Sequence, residues 1–185
     1  MELMDIIRQR KSVRKYLDKP VEREKIVECI EAARLAPSAD NIQPWRFIII
    51  DSQELKMNFC RYVCSGIFKP TRFIERAPAI IIILAKLNII VHRIAKVATR
   101  TDLYLLDIGI AGEHLVLQAQ ELGLGTCWIN WFNVKKAKSF LQIPNKYRVI
   151  SLIAMGYAGG RATKFKPDLP LEEILFFNDD YKKKL

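Results

Sequence analysis

The stretch 101–122 constrains this chain most, because it reads as one long helix that is apolar on most of its faces. At 1.5 Å of rise per residue it is about 33 Å long. Asp102 lies in its first turn, and Gly123 and Gly125 end it. A helix with almost no wet side must be covered nearly all round, either in the middle of a core or in a subunit interface. The other elements have to be arranged about it.

Those elements alternate in type. An amphipathic helix is expected over residues 2–10, with Leu3, Met4, Ile6 and Ile7 apolar, followed by an extended piece at 13–17. Pro20 precedes a second helix at 22–35, where Ile26, Val27, Ile30 and Ala33 recur at helical spacing, and Pro37 ends it. After a polar loop, the β-branched run 46–51 reads as a buried strand. Ser52 caps a helix to about residue 62, with Glu54 and Lys56 on its wet side. Residues 64–76 read as irregular and carry Phe68 and Phe73, as a lid or a local cluster. The run 78–84 is a second buried strand. Beyond the long helix come a third strand at 125–131, a short basic helix from Asn133 to about Leu141, and a fourth strand at 147–155. The remainder is extended, with a brief turn at 171–175. Strands and helices mix without strict βαβ repetition, which predicts an α+β fold or a mixed α/β sandwich.

Length and composition fit one domain over 1–185, large enough to bury about 70 % of the surface its unfolded chain exposes. The four cysteines (Cys29, Cys60, Cys64, Cys127) are scattered with no C-x-x-C, so neither a disulfide framework nor a zinc site is expected, and a reducing cytoplasm suits them. Met1 to Asp5 leads straight into a charged amphipathic helix rather than a signal peptide. The longest apolar run, 77–91, is interrupted by Lys86 and Asn88 and is too short to span a bilayer, so no membrane partner is expected. The net charge of +10, part of it in the tail Lys182-Lys183-Lys184, favours anionic partners without naming them. No basic segment is interleaved with aromatics and no recognition-helix pattern occurs, so nucleic acid is not an expected partner.

Self-contained catalytic chemistry is missing. His92 and His114 have no carboxylate or cysteine nearby in sequence and read as structural. No G-x-S-x-G, H-E-x-x-H or P-loop occurs, and Gly123-Leu124-Gly125 follows a helix, the wrong context for a dinucleotide fingerprint. Carboxylates occur as surface Glu/Lys pairs. An enzyme built this way works through something it binds.

Two segments are candidates for that binding. Arg10-Lys11-Ser12-Val13-Arg14 places three cations and a hydroxyl within one short span, a composition suited to gripping a phosphate group. Equally, Arg8, Arg10 and Lys11 close a helix, where cations offset the negative end of the macrodipole. The loop from Leu35 to Trp45 combines two backbone-fixing prolines, Pro37 and Pro44, with Ser38, Asn41 and Gln43. It suits the polar edge of a flat heterocycle or a ribityl chain. It also reads as an Asx-type turn before a strand, with Trp45 in the core.

Taken in order, these segments resemble the FMN-dependent nitroreductase family. The matching residues are Arg10-Lys11-Ser12-Val13-Arg14, Ala36-Pro37-Ser38 with Asn41-Ile42-Gln43-Pro44-Trp45, and Ala77-Pro78. Further along come Leu122-Gly123-Leu124-Gly125-Thr126-Cys127-Trp128-Ile129, and Gly156-Tyr157 ahead of Leu169-Pro170-Leu171-Glu172-Glu173. The resemblance implies an α+β fold, a mixed sheet flanked by helices, forming an intertwined homodimer with FMN in two interface clefts. Arg10, Lys11 and Ser12 would then hold the phosphate and ribityl end, with Arg14 nearer the pyrimidine edge. Pro37, Ser38, Ala39 and Asn41 would reach the flavin from the other subunit. Trp128, Ile129 and Asn130 would run along the isoalloxazine, and Lys164 or Lys166 would return to the phosphate. Phe68, Phe73 and Trp131 would set the substrate pocket, and no side chain of the protein need act as acid or base. Asn130-Trp131 departs from the Gly and small residue frequent in the family, implying a narrower or more aromatic pocket floor. Asp168 stands where many relatives carry a second basic residue, leaving Lys164 and Lys166 to share the phosphate.

The resemblance further implies a ping-pong oxidoreductase, with NADH or NADPH as donor and a nitroaromatic, quinone or other electron-poor acceptor. Other reactions on the same flavin (dehalogenation, ring dehydrogenation, flavin breakdown) stay open. So does a non-enzymatic basic module that binds polyanions.

Overall fold

The computed structural model describes residues 2–87, 100–160 and 168–178. Its centre is a four-stranded antiparallel sheet in the order β1-β2-β4-β3, formed by β1 (Trp45–Ile50), β2 (Ala79–Lys86), β3 (Gly125–Ile129) and β4 (Tyr147–Gly156). The two inner strands explain why the sequence there shows no polar alternation. Ile81, Ile83, Ile153 and Met155 face one core, while Ile80, Ile82, Leu84, Leu152 and Ala154 face a second. Both faces of the sheet are covered, so both sets of alternating positions are apolar.

Helices α2 (Arg23–Arg34) and α4 (Leu103–Glu121) cover the first face. α3 (Gln53–Val63), a 3₁₀ segment (Gly66–Arg76) and α5 (Val134–Phe140) cover the second. α1 (Leu3–Gln9) and α6 (Leu171–Ile174) are short and lie outside both layers' cores except for Ile6. Local chemistry sets the element ends as expected. The Asn133 side chain accepts from Lys136 N at 3.0 Å, and Ser52 accepts, longer, from Leu55 N at 3.5 Å. α4 stops at Gly123, whose φ of +74° lets its N–H reach Gln120 O (3.1 Å) while Leu124 N–H reaches Ala119 O (2.8 Å). That double bond pattern satisfies two of the helix's last carbonyls, and the left-handed residue it requires is glycine.

α4 meets the core expectation for the long apolar helix on one face only. Tyr104, Ile108, Ala111, Leu115 and Ala119 are buried against α2 and the sheet, whereas Leu105, Leu106 and Ile110 are exposed. Several expectations are corrected. Val27 is exposed, because α2 turns Ile26, Cys29 and Ala33 inward and Val27 lies about 100° round from Ile26. β1 is an edge strand, buried only at Trp45 and Ile50 and half-buried at Phe47, Ile48 and Ile49. Residues 66–76 are not irregular but 3₁₀. The third strand ends at Ile129, leaving Asn130 and Trp131 beyond it. Lys56 is 3 % exposed rather than wet, because it shares the helix face of Phe59, Cys60 and Val63. All four cysteines are buried free thiols, and burial pushes the Cys29 thiol up to about 12.

The segment after α1 is extended, as expected, and is tied to distant parts of the chain. Ser12 bridges Thr126 in parallel, with Val13 N donating to Thr126 O at 2.8 Å. Tyr16 bridges Ala158, and its hydroxyl donates to Val13 O (2.7 Å) and Ala154 O (3.3 Å). Burial pushes that phenol above its usual range. The close approach to β3 needs Gly125, where a Cβ would stand 2.5 Å from Val13 Cγ2.

Candidate functional site

Arg10 closes α1 with its N–H on Ile6 O (2.9 Å), and the chain then turns extended along β3. Arg10, Lys11 and Ser12 are half-buried and Arg14 is exposed. The cation in the helix's last turn is Arg8, which pairs with Asp5 at 3.9 Å. Arg10, Lys11 and Arg14 form no ion pair among the described residues. The segment thus presents three cations that no carboxylate among the described residues neutralises.

Pairing with Thr126 brings Ser12 and Arg14 to Cys127. Burial raises that thiol's pKa, while the Arg14 charge and a hydrogen bond with Ser12 oppose the rise. Next along β3, the half-buried Trp128 lays the edge of its ring on Gly112 of α4. Ile129 turns its side chain into the second core, so only its backbone is left to face a ligand. Asn130 and Trp131 follow, exposed. The basic segment and the strand 126–130 therefore form one continuous edge.

The loop at 37–43 lies elsewhere within the same chain. Its polar groups bond one another: Gln43 N donates to Ser38 Oγ (2.9 Å) and Gln43 Nε2 to Asn41 Oδ1 (2.8 Å). Asp40, Asn41 and Gln43 all have φ near +50°. Pro37 and Asn41 are exposed, Ser38 and Ala39 are half-buried, and Trp45 is in the core, as the turn reading expects. The loop is fastened to α4 by Ala39 N, which donates to Asp107 Oδ1 at 3.0 Å. Asp107 lies about 7.5 Å along the helix axis from Gly112, so one helix carries both the loop and Trp128. Asp107 was missed in the sequence, although a lone carboxylate in an otherwise apolar stretch was the available signal. Replacing Asp107 by Ala leaves that amide without its charged acceptor, at a cost of about 1.5–3 kcal/mol. Amide hydrogen exchange at residues 38–43 is expected to accelerate more than exchange in β2 and β4, which should follow only the loss of global stability.

Of the three aromatic pocket candidates, the structure joins two. Phe68 and Trp131 have ring centroids 5.3 Å apart. Trp131 Nε1 donates to Ile67 O (3.0 Å) and Thr71 Oγ1 to Trp131 O (3.0 Å), latching the 3₁₀ segment to the end of β3. Phe73 is turned the other way, onto the second core. Lys164, Lys166 and His92 lie outside the described residues. His114 is structural, as expected, with Nδ1 3.3 Å from Ala32 O. Among the described residues no group of acids, histidines and cysteines is placed to hold a metal, and no helix is long and apolar enough to cross a membrane.

The sequence model of the nitroreductase family matches residues 7–70 and 67–157, which take in the basic segment, the loop, the sheet and the long helix. The chain belongs to the nitroreductase family and is an oxidoreductase. A solved structure described as an FMN-dependent nitroreductase from Clostridium difficile R20291 is similar, at 32 % identity and TM-score 0.76, covering 95 % of this chain and 99 % of that one. A protein of Archaeoglobus fulgidus, provisionally named an NADH dehydrogenase/NAD(P)H nitroreductase, is 29 % identical over 160 residues, 84 % of this chain and 85 % of that protein. An iodotyrosine deiodinase of Thermotoga neapolitana is 22 % identical over 94 % of this chain and 95 % of its own length.

Proposed function

We propose that this chain is an FMN-dependent oxidoreductase. It takes hydride from NADH or NADPH and, in a separate half-reaction, delivers it to an electron-poor acceptor such as a nitroaromatic or a quinone. The observation that carries this reading is the set of uncompensated cations Arg10, Lys11 and Arg14 around Ser12, held against β3 beside Trp128. Its donor chemistry fits the flavin mononucleotide: guanidinium and ammonium groups for a phosphate dianion, and a hydroxyl for the ribityl chain.

When bound, FMN supplies the two-electron chemistry itself. The protein's part is orientation and field. Arg10 and Lys11 with Ser12 hold the phosphate and ribityl end. Arg14, nearer the pyrimidine edge, places positive charge where negative charge develops on hydride acceptance. Trp128, the Ile129 backbone and Asn130 lie along the ring. Pro37, Ser38, Ala39 and Asn41 serve the flavin of a second copy, in a homodimer for which the uncovered strip Leu105, Leu106 and Ile110 of α4 offers an apolar face. Phe68 and Trp131 wall the acceptor pocket, and Phe73 packs on the second core instead.

The deiodinase relative favours a second reading, reductive dehalogenation on the same flavin. Both are tested together. Purified protein is expected to be yellow, to bleach anaerobically on addition of NADH or NADPH, and to recover colour on addition of a nitroaromatic or a quinone. Recovery only with a halogenated phenol selects the second reading. Protein that is colourless and takes up no FMN on incubation excludes both.

A further inference from the structure

A cleft of about 560 Å³ opens between residues 16–20, the start of α3 and the turn into β2. No residue assigned above to the flavin or its acceptor lines it. Half of its charged groups already have partners. Asp51 accepts from Arg23 at 2.8 Å, Glu75 from Arg72 at 2.9 Å, and Lys19 stands 3.8 Å from Glu22. Asp18, Lys56 and Arg76 are left with no ion pair among the described residues.

Lys56 is the unusual member. It is 3 % exposed, and its Nζ has one acceptor, Pro78 O, at 3.3 Å. An ammonium carries three N–H donors, and a buried charge without a counter-charge is costly. Burial lowers its pKa, and the fields of Cys60, Asp18 and Asp51 oppose that. Asp18 and Arg76 are exposed at the mouth, and Leu17, Pro20, Met57 and Pro78 give the walls apolar surface. The unpartnered charges sum to one positive, with the ammonium innermost.

We propose that this cleft binds a small monocarboxylate with an apolar body. The carboxylate enters first, onto the free donors of Lys56. The body packs along Met57 and Pro78, and Arg76 adds attraction at the mouth. Asp18 selects against a second negative charge on the ligand, and the inward ammonium selects against cations. The site is independent of the flavin reading, and its test needs no flavin.

Benzoate is the probe, titrated into the full chain at constant ionic strength with chloride as the balancing ion. Amide chemical shifts are expected to move saturably at residues 16–20, 53–57 and 75–78, and thermal unfolding to shift upward. Lys56→Met should weaken binding about tenfold or more, the worth of a charge-assisted hydrogen bond, and Arg76→Gln should weaken it less. Benzylamine, of like shape and opposite charge, should not bind there. The proposal is overturned if the wild-type shifts fail to saturate or saturate at Trp128 and Trp131 instead. Equal affinity of benzoate for Lys56→Met, or equal binding of benzylamine, overturns it as well. Should Lys56→Met not fold, the shift map and the benzylamine comparison still decide.

Discussion

The double variant Arg10→Ala, Arg14→Ala is expected to purify colourless where the parent chain is expected to be yellow. Each cation removed deletes a hydrogen bond to a charged group, worth about 1.5–3 kcal/mol. Together they account for about 3–6 kcal/mol, or about 10²- to 10⁴-fold in the dissociation constant for FMN. Neither residue has an ion-pair partner among the described residues, so unfolding should change by no more than about 0.5 kcal/mol, as for ordinary surface changes. Arg8→Ala is the matched control: it also removes a cation from this end of α1, but one already paired with Asp5, and it should keep the flavin. FMN titration by fluorescence quenching measures all three. Unchanged affinity in the double variant would remove these residues from the site. A polyanion-binding module would behave differently, with no colour in the parent and with binding that falls steeply as salt rises.

Gly112→Val is expected to destabilise the chain by about 1–3 kcal/mol and to lower FMN affinity with it. At this position even a Cβ would run into the Trp128 ring, and the ring is fixed between β3 and α4. Overpacking of this kind forces side chains off their rotamers and shifts the backbone. The residue that must move is the one proposed to lie along the flavin, so stability and affinity should fall together. Urea unfolding and FMN titration read the two quantities. Adding Trp128→Phe to Gly112→Val shortens the aromatic side chain and should restore part of the stability, a coupling that a double-mutant cycle isolates. Strict additivity of the two changes would show that the contact is not the cause.

The parts of the fold legible in the sequence are those decided within a few residues. Ser52, Asn133 and Gly123 mark helix ends through their own side chains or backbone freedom. The run Ile80 to Leu84 is a strand because β-branched residues bounded by Pro78 admit little else. What failed was decided at a distance. Lys56 looked solvated because lysines usually are, yet its helical position places it with Phe59 and Cys60. The run 46–51 looked as buried as 80–84, and only strand order makes β1 an edge. At the site, the cation cluster could be read from composition and its family from motif order. The turn explanation of Ser38, Asn41 and Gln43 also proved sound, since these groups bond one another. That does not oppose a flavin role for Pro37 to Asn41, because a loop stiffened internally and fastened to Asp107 is a rigid surface to present to a second copy. The roles of Asp107 and of the Trp131 latch depend on pairs separated by 68 and 64 residues, which local pattern cannot reveal.

The hydrogen bond from Tyr16 to Ala154 O spans 138 residues of chain. The basic segment beside it takes its extended shape from Thr126 and from residues 157–159, not from its own neighbours. During synthesis this segment is made well before β4 and waits until that strand exists before it can be placed. Its contacts close very long loops, and such contacts form late because loop entropy must be overcome first. A chain interrupted before residue 154 would therefore carry the long helix and two or three strands yet no shaped anion grip.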